Sequence, residues 1–316
     1  MANRNKLLLL LLAAVTLIAV FMTIRAGGNW DYILPSRGKK IAAMVLTGTA
    51  IALSTLIFQT LTNNRILTPS IIGLDSLYLL FQTAAVFILG SSSWAVADKR
   101  LNFLISVGMM MLFSALLYRL MFRSERGNLF FLILVGMIFG TFFQSLSTFM
   151  QVLIDPNEFL VVQGKMFASF SAINTDILLL AAIALLAAMA VAWKSVRVLD
   201  TLSLGRDHAI NLGVAYDAKV KRLLLLVAVL VSVSTALVGP ITFLGLLIAN
   251  LAREWLGTHR HRVLLPGAAL LAIIALVGGQ LIVERVFSFT TTISVIINFV
   301  GGLYFLYLLL KENRSL

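Results

Sequence analysis

Histidine is the residue type best suited to bind a metal ion or to transfer a proton, and this 316-residue sequence contains three, His208, His259 and His261. Each lies in a short polar stretch beside basic residues. The His259-x-His261 spacing places the two rings poorly on one face of a helix, and no carboxylate follows to complete a set of metal ligands. The sequence therefore predicts a solvated basic loop at residues 259–262 and no metal site.

Other kinds of catalytic chemistry lack their residues as well. The chain has no cysteine, which excludes disulfides, thiolate metal ligands and cysteine nucleophiles. It has neither the GxxxxGK[ST] loop that binds phosphates nor the HExxH pattern of zinc hydrolases. We therefore expect no catalytic residue and no cofactor on this chain, so that any ATP hydrolysis that drives it takes place on a partner.

The elements that would position a functional residue are membrane helices. Hydrophobic residues make up 60% of the sequence and charged residues 12%, against about 25% charged residues in an average soluble domain. A hydrocarbon core about 30 Å thick requires ~20 apolar residues per helix. We therefore predict an all-α polytopic membrane protein, a single transmembrane domain over residues 1–316 with about ten spans. The predicted spans are residues 7–25, 41–62, 77–97, 101–121, 129–153, 176–193, 222–238, 241–256, 263–283 and 290–310.

Two of these spans rest on particular arguments. Residues 223–252 carry no charge and are too long for one crossing, so we divide them at Gly239-Pro240, where proline cannot continue a helix. The first apolar run is longer than the core of a secretory signal, about 7 to 15 residues, so a retained helix is expected.

The central parts of the ten predicted spans contain no Asp, Glu, Lys, Arg or His, and those within the span bounds lie in the first or last turn. Ion-coupled carriers usually hold a carboxylate or a broken-helix ion site within the membrane, so an ion-coupled secondary transporter is the less favoured class. The polar residues Gln59, Gln144 and Asn298 are candidates for the lining of a translocation path. Hydrogen bonding between neighbouring helices is the more frequent role of such groups.

The formal net charge of +12 favours contact with anionic lipid rather than nucleic acid. Lysine and arginine cluster at the ends of apolar runs, and no long basic block or basic-aromatic stripe is present. These cations favour one set of loops by about two to one, which predicts that both termini are cytoplasmic.

The largest hydrophilic segment, about residues 194–222, lies on the predicted cytoplasmic side. Its sequence predicts two short helices closed by Gly205 and Gly213, because glycine readily adopts the left-handed conformation that ends a helix. An apolar face on these helices would suit either a soluble partner or the membrane surface. The apolar side chains of this face are Leu202, Leu204, Ala209 and Leu212.

Four segments carry a resemblance to a known family. Residues 48–73 look like the pattern G-x-x-L-A … Q … R-N-P-L-A-[DE]-P-x-x-L-G, and residues 204–213 are similar to L-G-[DE]-x-x-A-x-x-L-G. Residues 239–253 match G-x-I-x-F-[VI]-G-L-x-x-P-H-x-x-R without a gap, and residues 293–310 look like the family's last span. Together they resemble the permease subunits of type II ABC importers for iron-siderophores and cobalamin, over nearly the whole chain.

The resemblance implies partners on both sides of the membrane. On the cytoplasmic side, the two short helices would dock on an ATPase, which itself binds ATP and Mg²⁺. On the outer side, basic residues would meet carboxylates of a periplasmic or lipid-anchored substrate-binding protein; anchoring of helix ends at the interface is the alternative. The ATPase-docking residues are Leu202, Leu204, Gly205, Arg206, Asp207, Ala209, Leu212 and Gly213, and the outer residues are Arg37, Lys40 and Arg285.

Three departures from the family pattern refine the expectation. Arg65 stands where the family usually has proline, Ala249-Asn250 replace Pro-His, and Leu281 stands where aspartate is common. These changes resemble a shorter, divergent branch that pairs with a second, non-identical permease. The resemblance therefore implies a heterodimeric, non-enzymatic permease that translocates a ferric siderophore across the inner (cytoplasmic) membrane, with cobalamin or haem as alternative cargoes.

Overall fold

The computed structural model describes residues 2–24, 28, 30–121, 129–171 and 173–313, and every regular element in these ranges is helical. The predicted all-α class is confirmed. Residues 1 and 314–316, the extreme ends that the charge bias assigns to the cytoplasm, lie outside the described residues. The α-helices are α1 (Ala2–Thr23), α2 (Trp30–Thr62), α3 (Leu74–Leu89), α4 (Trp94–Ala97), α5 (Lys99–Met121), α6 (Leu129–Leu153), α7 (Pro156–Met166), α8 (Thr175–Lys194), α9 (Val196–Leu202), α10 (Arg206–Asn211), α11 (Tyr216–Val238), α12 (Leu244–Leu256), α13 (His261–Arg285) and α14 (Ile293–Asn313), and a 3-10 helix (Pro69–Ile72) precedes α3.

Seven described helices, α1, α2, α5, α6, α8, α11 and α13, are long and apolar enough to cross a membrane. α3 and residues 293–307 of α14 are apolar but shorter, and α12 has 13 residues. A helix of that length rises only about 20 Å, so α12 spans the ~30 Å core only together with the non-helical residues before it. Each of the ten predicted spans overlaps one of these ten helices, and seven of the described helices are long enough to cross by their own length.

The predicted boundaries that differ most from the structure are the start of α2 and the end of α3. α2 begins at Trp30 rather than at residue 41, because the helix continues past the apolar stretch through a basic turn that bonds to the end of α1. α3 ends at Leu89 rather than at residue 97, because Gly90 has a φ of 80° and terminates the helix. Between α2 and α3, residues 63–68 are not helical. α3 itself begins at Leu74, earlier than the predicted residue 77.

α2 and α11 form the centre of the bundle. In each, 67% of the most apolar 18-residue stretch is buried. α2 packs against α11, α12, α13 and α8. By contrast, only 22% of the corresponding 18-residue stretch of α6 is buried, and the exposed side chains of α6 include Phe130, Phe142 and Phe149. α6 therefore presents a broad apolar face to lipid or to another subunit.

The 3-10 helix and α6 touch backbone to backbone. A Cβ at Gly136 would lie 2.8 Å from the Cα of Ile72, and a Cβ at Gly73 would lie 2.8 Å from the Cα of Gly140. Gly73 also has a φ of 88°, which a residue with a side chain rarely adopts. Small residues at this crossing let the two backbones approach closely. The resulting van der Waals contact drives helix packing within lipid, where the hydrophobic effect does not.

This close approach predicts the effect of one methyl group. Gly136→Ala should lower the free energy of unfolding by about 1 to 3 kcal/mol, because its Cβ meets backbone that cannot rotate away. Gly108→Ala in α5 is the matched control, since nothing lies within 4 Å of the added Cβ. Thermal unfolding in detergent measures both, and equal melting temperatures for the two variants would contradict the packing described here.

Candidate coupling and translocation sites

The segment between α8 and α11 folds as two short helices, as predicted. α9 ends before Gly205, which has a φ of 96°, and α10 ends before Gly213, which has a φ of 81°. No atom lies within 4 Å of a Cβ added at either position. Glycine is therefore required here by the left-handed backbone conformation and not by crowding. We call residues 196–213 the docking element.

The apolar side chains of the docking element point in two directions. Leu202 and Ala209 are 2% and 0% exposed, so they attach the element to the bundle. Leu204 and Leu212 are 57% and 64% exposed, and Ile210, which the sequence analysis did not select, is also exposed. The expected single face is therefore divided into an anchoring side and an open side, and only the open side is available to a partner.

The two charged residues at the start of α10 differ in their surroundings. Arg206 forms a 3.6 Å ion pair with Asp217, and its guanidinium lies 5.6 Å from the ring centroid of Tyr216. Asp207 is exposed. Arg206 thus ties α10 to the first turn of α11, while Asp207 remains open to solvent or to a partner.

The solvated loop predicted around His259 and His261 is wrong for His261. Its side chain is 2% exposed, because His261 is the first residue of α13 and packs into the bundle. Its ring nitrogens lie 2.7 Å from Asp200 Oδ1 and 2.8 Å from Thr60 Oγ1. His259 is exposed, as predicted, and no described group of three or more His, Cys, Asp or Glu residues has the arrangement of a metal site.

A cleft of about 370 Å³ opens beside the docking element, between the end of α2 and α12. At its wall, Gln59 donates from Nε2 to the carbonyl oxygen of Arg65 at 2.7 Å and accepts at Oε1 from Arg253. Asn250 also donates to the Arg65 carbonyl, at 3.0 Å. Two of the positions that depart from the family pattern, Arg65 and Asn250, therefore bind each other.

The three candidates for a translocation path lie in different environments. Gln59 is 2% exposed and engaged in the network of the cleft wall. Gln144 is exposed on α6, and Asn298 on α14 has a buried Oδ1 without a hydrogen-bond partner among the described residues. The structure does not join these three side chains in one hydrogen-bonded network, and their role in a translocation path stays a prediction.

Other polar side chains hold neighbouring helices together, in agreement with the packing interpretation. Gln82 of α3 donates from Nε2 to Asn102 Oδ1 and to Ser106 Oγ of α5, both at 3.0 Å. Thr83 of α3 lies 2.9 Å from Ser147 Oγ of α6. These bonds fix α3 between α5 and α6, beside the close approach at Gly136.

The outer basic residues already have partners within the chain. Arg37 Nη1 donates to three carbonyl oxygens at the end of α1 at 2.8–2.9 Å, and Arg285 donates to one of them, that of Ile24, at 3.2 Å. Lys40 forms a 2.8 Å ion pair with Glu284. This geometry fits the interfacial alternative for all three, and binding-protein docking stays a prediction that requires these bonds to be shared or exchanged.

One carboxylate lies inside the bundle, so the expectation that the spans lack ionisable residues is wrong. Asp75 is in the first turn of α3, where Oδ1 accepts a hydrogen bond from Thr235 Oγ1 of α11 at 3.1 Å and the side chain also bonds to Ser70. No cationic side chain forms an ion pair with it in the described part of the chain. The hydroxyl residues that line the same cavity are Ser54, Thr55, Thr68, Ser234 and Thr242.

This cavity lies where two interruptions of the helical chain meet. Residues 63–73 precede α3, and residues 239–243 connect α11 to α12. A Cβ added at Gly245 would lie 2.0 Å from Oγ1 of Thr55 in α2, so these two residues are in close contact. The start of α3 and two hydroxyl donors give the Asp75 carboxyl group hydrogen-bonding partners in place of a counter-ion among the described residues.

Substitution at Asp75 separates the role of its hydrogen bonds from that of its charge. Asp75→Asn keeps an acceptor for Thr235, so its melting temperature should match or exceed that of the original protein. Asp75→Leu leaves two hydroxyls without their acceptor and should lower stability by about 1 to 3 kcal/mol for each orphaned group. Thermal unfolding in detergent is the measurement, and equal losses in both variants would show that the charge itself is required.

Comparison with known proteins places the fold and these elements in a family. The sequence profile of the FecCD transport family matches residues 5–311. The petrobactin import system permease protein YclO of Bacillus subtilis (strain 168) is 60% identical over 315 residues, which cover 100% of both chains. The petrobactin import system permease protein FatC of Bacillus anthracis is 36% identical over 273 residues, 86% of this chain and 77% of FatC.

A solved structure shares the fold. A metal-chelate type ABC transporter in an inward-facing conformation superposes with a TM-score of 0.85 at 23% identity, over 98% of this chain and 99% of that one. The resemblance carried by the four sequence segments is thereby confirmed. Because the family profile spans nearly the whole sequence, this chain belongs to the FecCD transport family.

Proposed function

We propose that this chain is one transmembrane subunit of an ATP-driven importer that carries a ferric siderophore across the cytoplasmic membrane. The observation that carries the proposal is the 60% identity, over the full length of both chains, to a permease named for petrobactin import. The docking element supports it, because the open side chains Leu204 and Leu212 form an apolar surface where a permease of this kind would receive an ATPase. Cobalamin and haem remain the alternative cargoes.

The proposed assembly contains three kinds of partner. A second, non-identical permease would cover the exposed apolar face of α6 and complete a pore between the two subunits. ATPase subunits would bind ATP and Mg²⁺ and dock at the open side of the docking element, at residues 204–212, and a substrate-binding protein would deliver the cargo at the outer side near Arg37, Lys40 and Arg285. This chain would supply no catalytic residue and no cofactor.

The direction of transport follows from the predicted orientation. The bias of basic residues toward one set of loops favours a cytoplasmic position for the docking element and both termini, and the opposite ends of α1, α2 and α13 would then face outward. Closure of the ATPase pair would displace the docking element, and because α9 is anchored to the bundle through buried side chains, the helices would tilt with it. The pore would then open alternately to the two sides.

Reconstitution tests the class of transporter. This chain, a partner permease and an ATPase in proteoliposomes should take up radiolabelled ferric siderophore, delivered by the cognate binding protein, only when ATP is present. The second candidate class is an ion-coupled carrier, favoured by the half-buried carboxyl group of Asp75 between two chain interruptions. Uptake by this chain alone under an ion gradient, without ATP, would overturn the proposal in favour of that class.

The open side of the docking element gives a sharper prediction. Leu212→Asp and Leu204→Asp should each reduce uptake at least tenfold, because each places a charge where an apolar contact of about 1.5 to 3 kcal/mol is expected. Leu212→Met, which keeps the apolar surface, is the matched control. The amount of each variant in the membrane should not change, since both side chains are exposed. Normal uptake by both aspartate variants would remove the docking role of residues 204–212.

A further inference from the structure

The docking element is joined to the bundle by one polar connection in addition to its apolar contacts. Asp200 of α9 accepts two hydrogen bonds at Oδ1 from His261, one from the backbone N–H at 2.8 Å and one from ring Nδ1 at 2.7 Å. The residue that precedes α13, Arg260, provides no side-chain cap of its own. The carboxylate of Asp200 therefore caps α13 from a different helix, where a negative charge favours the helix N-terminus.

The same histidine extends the connection to the central helix. Its Nε2 lies 2.8 Å from Thr60 Oγ1 in the last turn of α2, and the single proton of this hydroxyl is shared between Nε2 and the carbonyl oxygen of Leu56, which is also at 2.8 Å. Thr60 adjoins Gln59, which bonds to Arg65 and Arg253 at the wall of the cleft. A continuous series of hydrogen bonds thus runs from α9 through the first residue of α13 to α2.

The contacts around this polar connection make it the part of the α9 interface that is most sensitive to movement. His261 is 2% exposed, whereas the side chain of Asp200 is 40% exposed. The other buried contacts of α9, including Leu199 and Leu202, are apolar and allow sliding between helices. Hydrogen bonds weaken steeply when their distance or angle changes, so a displacement of α9 acts on α13 and α2 most directly through Asp200 and His261.

We propose that Asp200, His261 and Thr60 form the link that transmits movement of the docking element to α13 and α2, and that Asp200 and His261 are positioning residues for the coupling of ATP hydrolysis to transport. The inference rests on the proposed function, since it requires an ATPase that docks on α9 and α10. Loss of the link leaves the open surface of Leu204 and Leu212 intact. The ATPase therefore still binds and hydrolyses ATP, but moves less cargo for each ATP.

The test measures cargo transported per ATP hydrolysed in proteoliposomes that contain the complete complex. Asp200→Ala and His261→Ala should each lower this ratio at least fivefold while ATPase binding and hydrolysis stay within twofold of the original complex. The double variant should be no worse than either single variant, because both act through one link. Asp200→Asn keeps an acceptor oxygen at the same place and should retain most of the ratio.

Matched controls lie nearby. His259→Gln changes an exposed histidine two residues away, and Thr62→Val removes a hydroxyl of α2 that, among the described residues, bonds only within its own helix. Thr60→Val, in contrast, removes the hydroxyl that is hydrogen-bonded to His261 Nε2. Both controls should leave the ratio unchanged, and Thr60→Val should lower it. An unchanged ratio in Asp200→Ala, or additive losses in the double variant, would overturn the link.

A second measurement does not depend on transport. The backbone N–H of His261 is protected by Asp200, so hydrogen exchange in the first turn of α13 should be at least tenfold faster in Asp200→Ala than in the original protein. Unchanged exchange would overturn the inference even if the variant fails to assemble. If the original complex shows no ATP-dependent uptake, the proposed function fails, and faster exchange would confirm only the cap.

Discussion

The constraint on which this structure depends is that the hydrocarbon core offers no water to hydrogen-bond a free peptide group. Two stretches of this chain, residues 63–73 and 239–243, leave α-helical geometry, and their backbone groups need partners from the protein wherever packing shields them from water. Gln59 and Asn250 donate to the carbonyl of Arg65, and the backbone N–H of Ser169 donates to the carbonyl of Val238 at 2.9 Å. The polar side chains of an otherwise apolar interior are therefore concentrated where the helices are interrupted.

This arrangement gives the bundle places at which it can change shape. Straight helices joined by apolar contacts move as rigid bodies, whereas an interruption absorbs changes of backbone angle. The interruptions meet around Asp75, close to α2, and α2 is also hydrogen-bonded to His261 through Thr60. A displacement of the docking element thus reaches the helix that lies beside both interruptions, which provides a physical route from an ATPase to the interior of the membrane.

Local patterns predicted the elements, and the interruptions and long-range bonds lay beyond them. Apolar length located the helices, so that α6 has the predicted bounds, and glycine chemistry located the ends of α9 and α10 at Gly205 and Gly213. Asp75 was missed because the cut at residue 77 left it in a loop, although a carboxylate just after Gly73 is the usual sign of a helix start.

The polar partners could not be deduced from sequence alone. Asp200 and His261 are separated by 61 positions, and no periodicity relates them. Arg37, Lys40 and Arg285 were expected at the outer surface, but their bonds to α1 and to Glu284 depend on how three helices pack. The division of the docking element into an anchored and an open side is likewise a consequence of the packing of Leu202 and Ala209, which the sequence presents as equivalent to Leu204 and Leu212.

The central claim is that an ATPase grips this chain at the open side of the docking element, and site-directed cross-linking tests it most directly. The chain contains no cysteine, so a single cysteine can be introduced without other changes. With the partner permease and ATPase co-expressed, Leu212→Cys should cross-link to the ATPase through a short bifunctional reagent, whereas Ser171→Cys at the opposite end should not. A cross-link from Ser171→Cys, or none from Leu212→Cys in an assembled complex, would contradict the account.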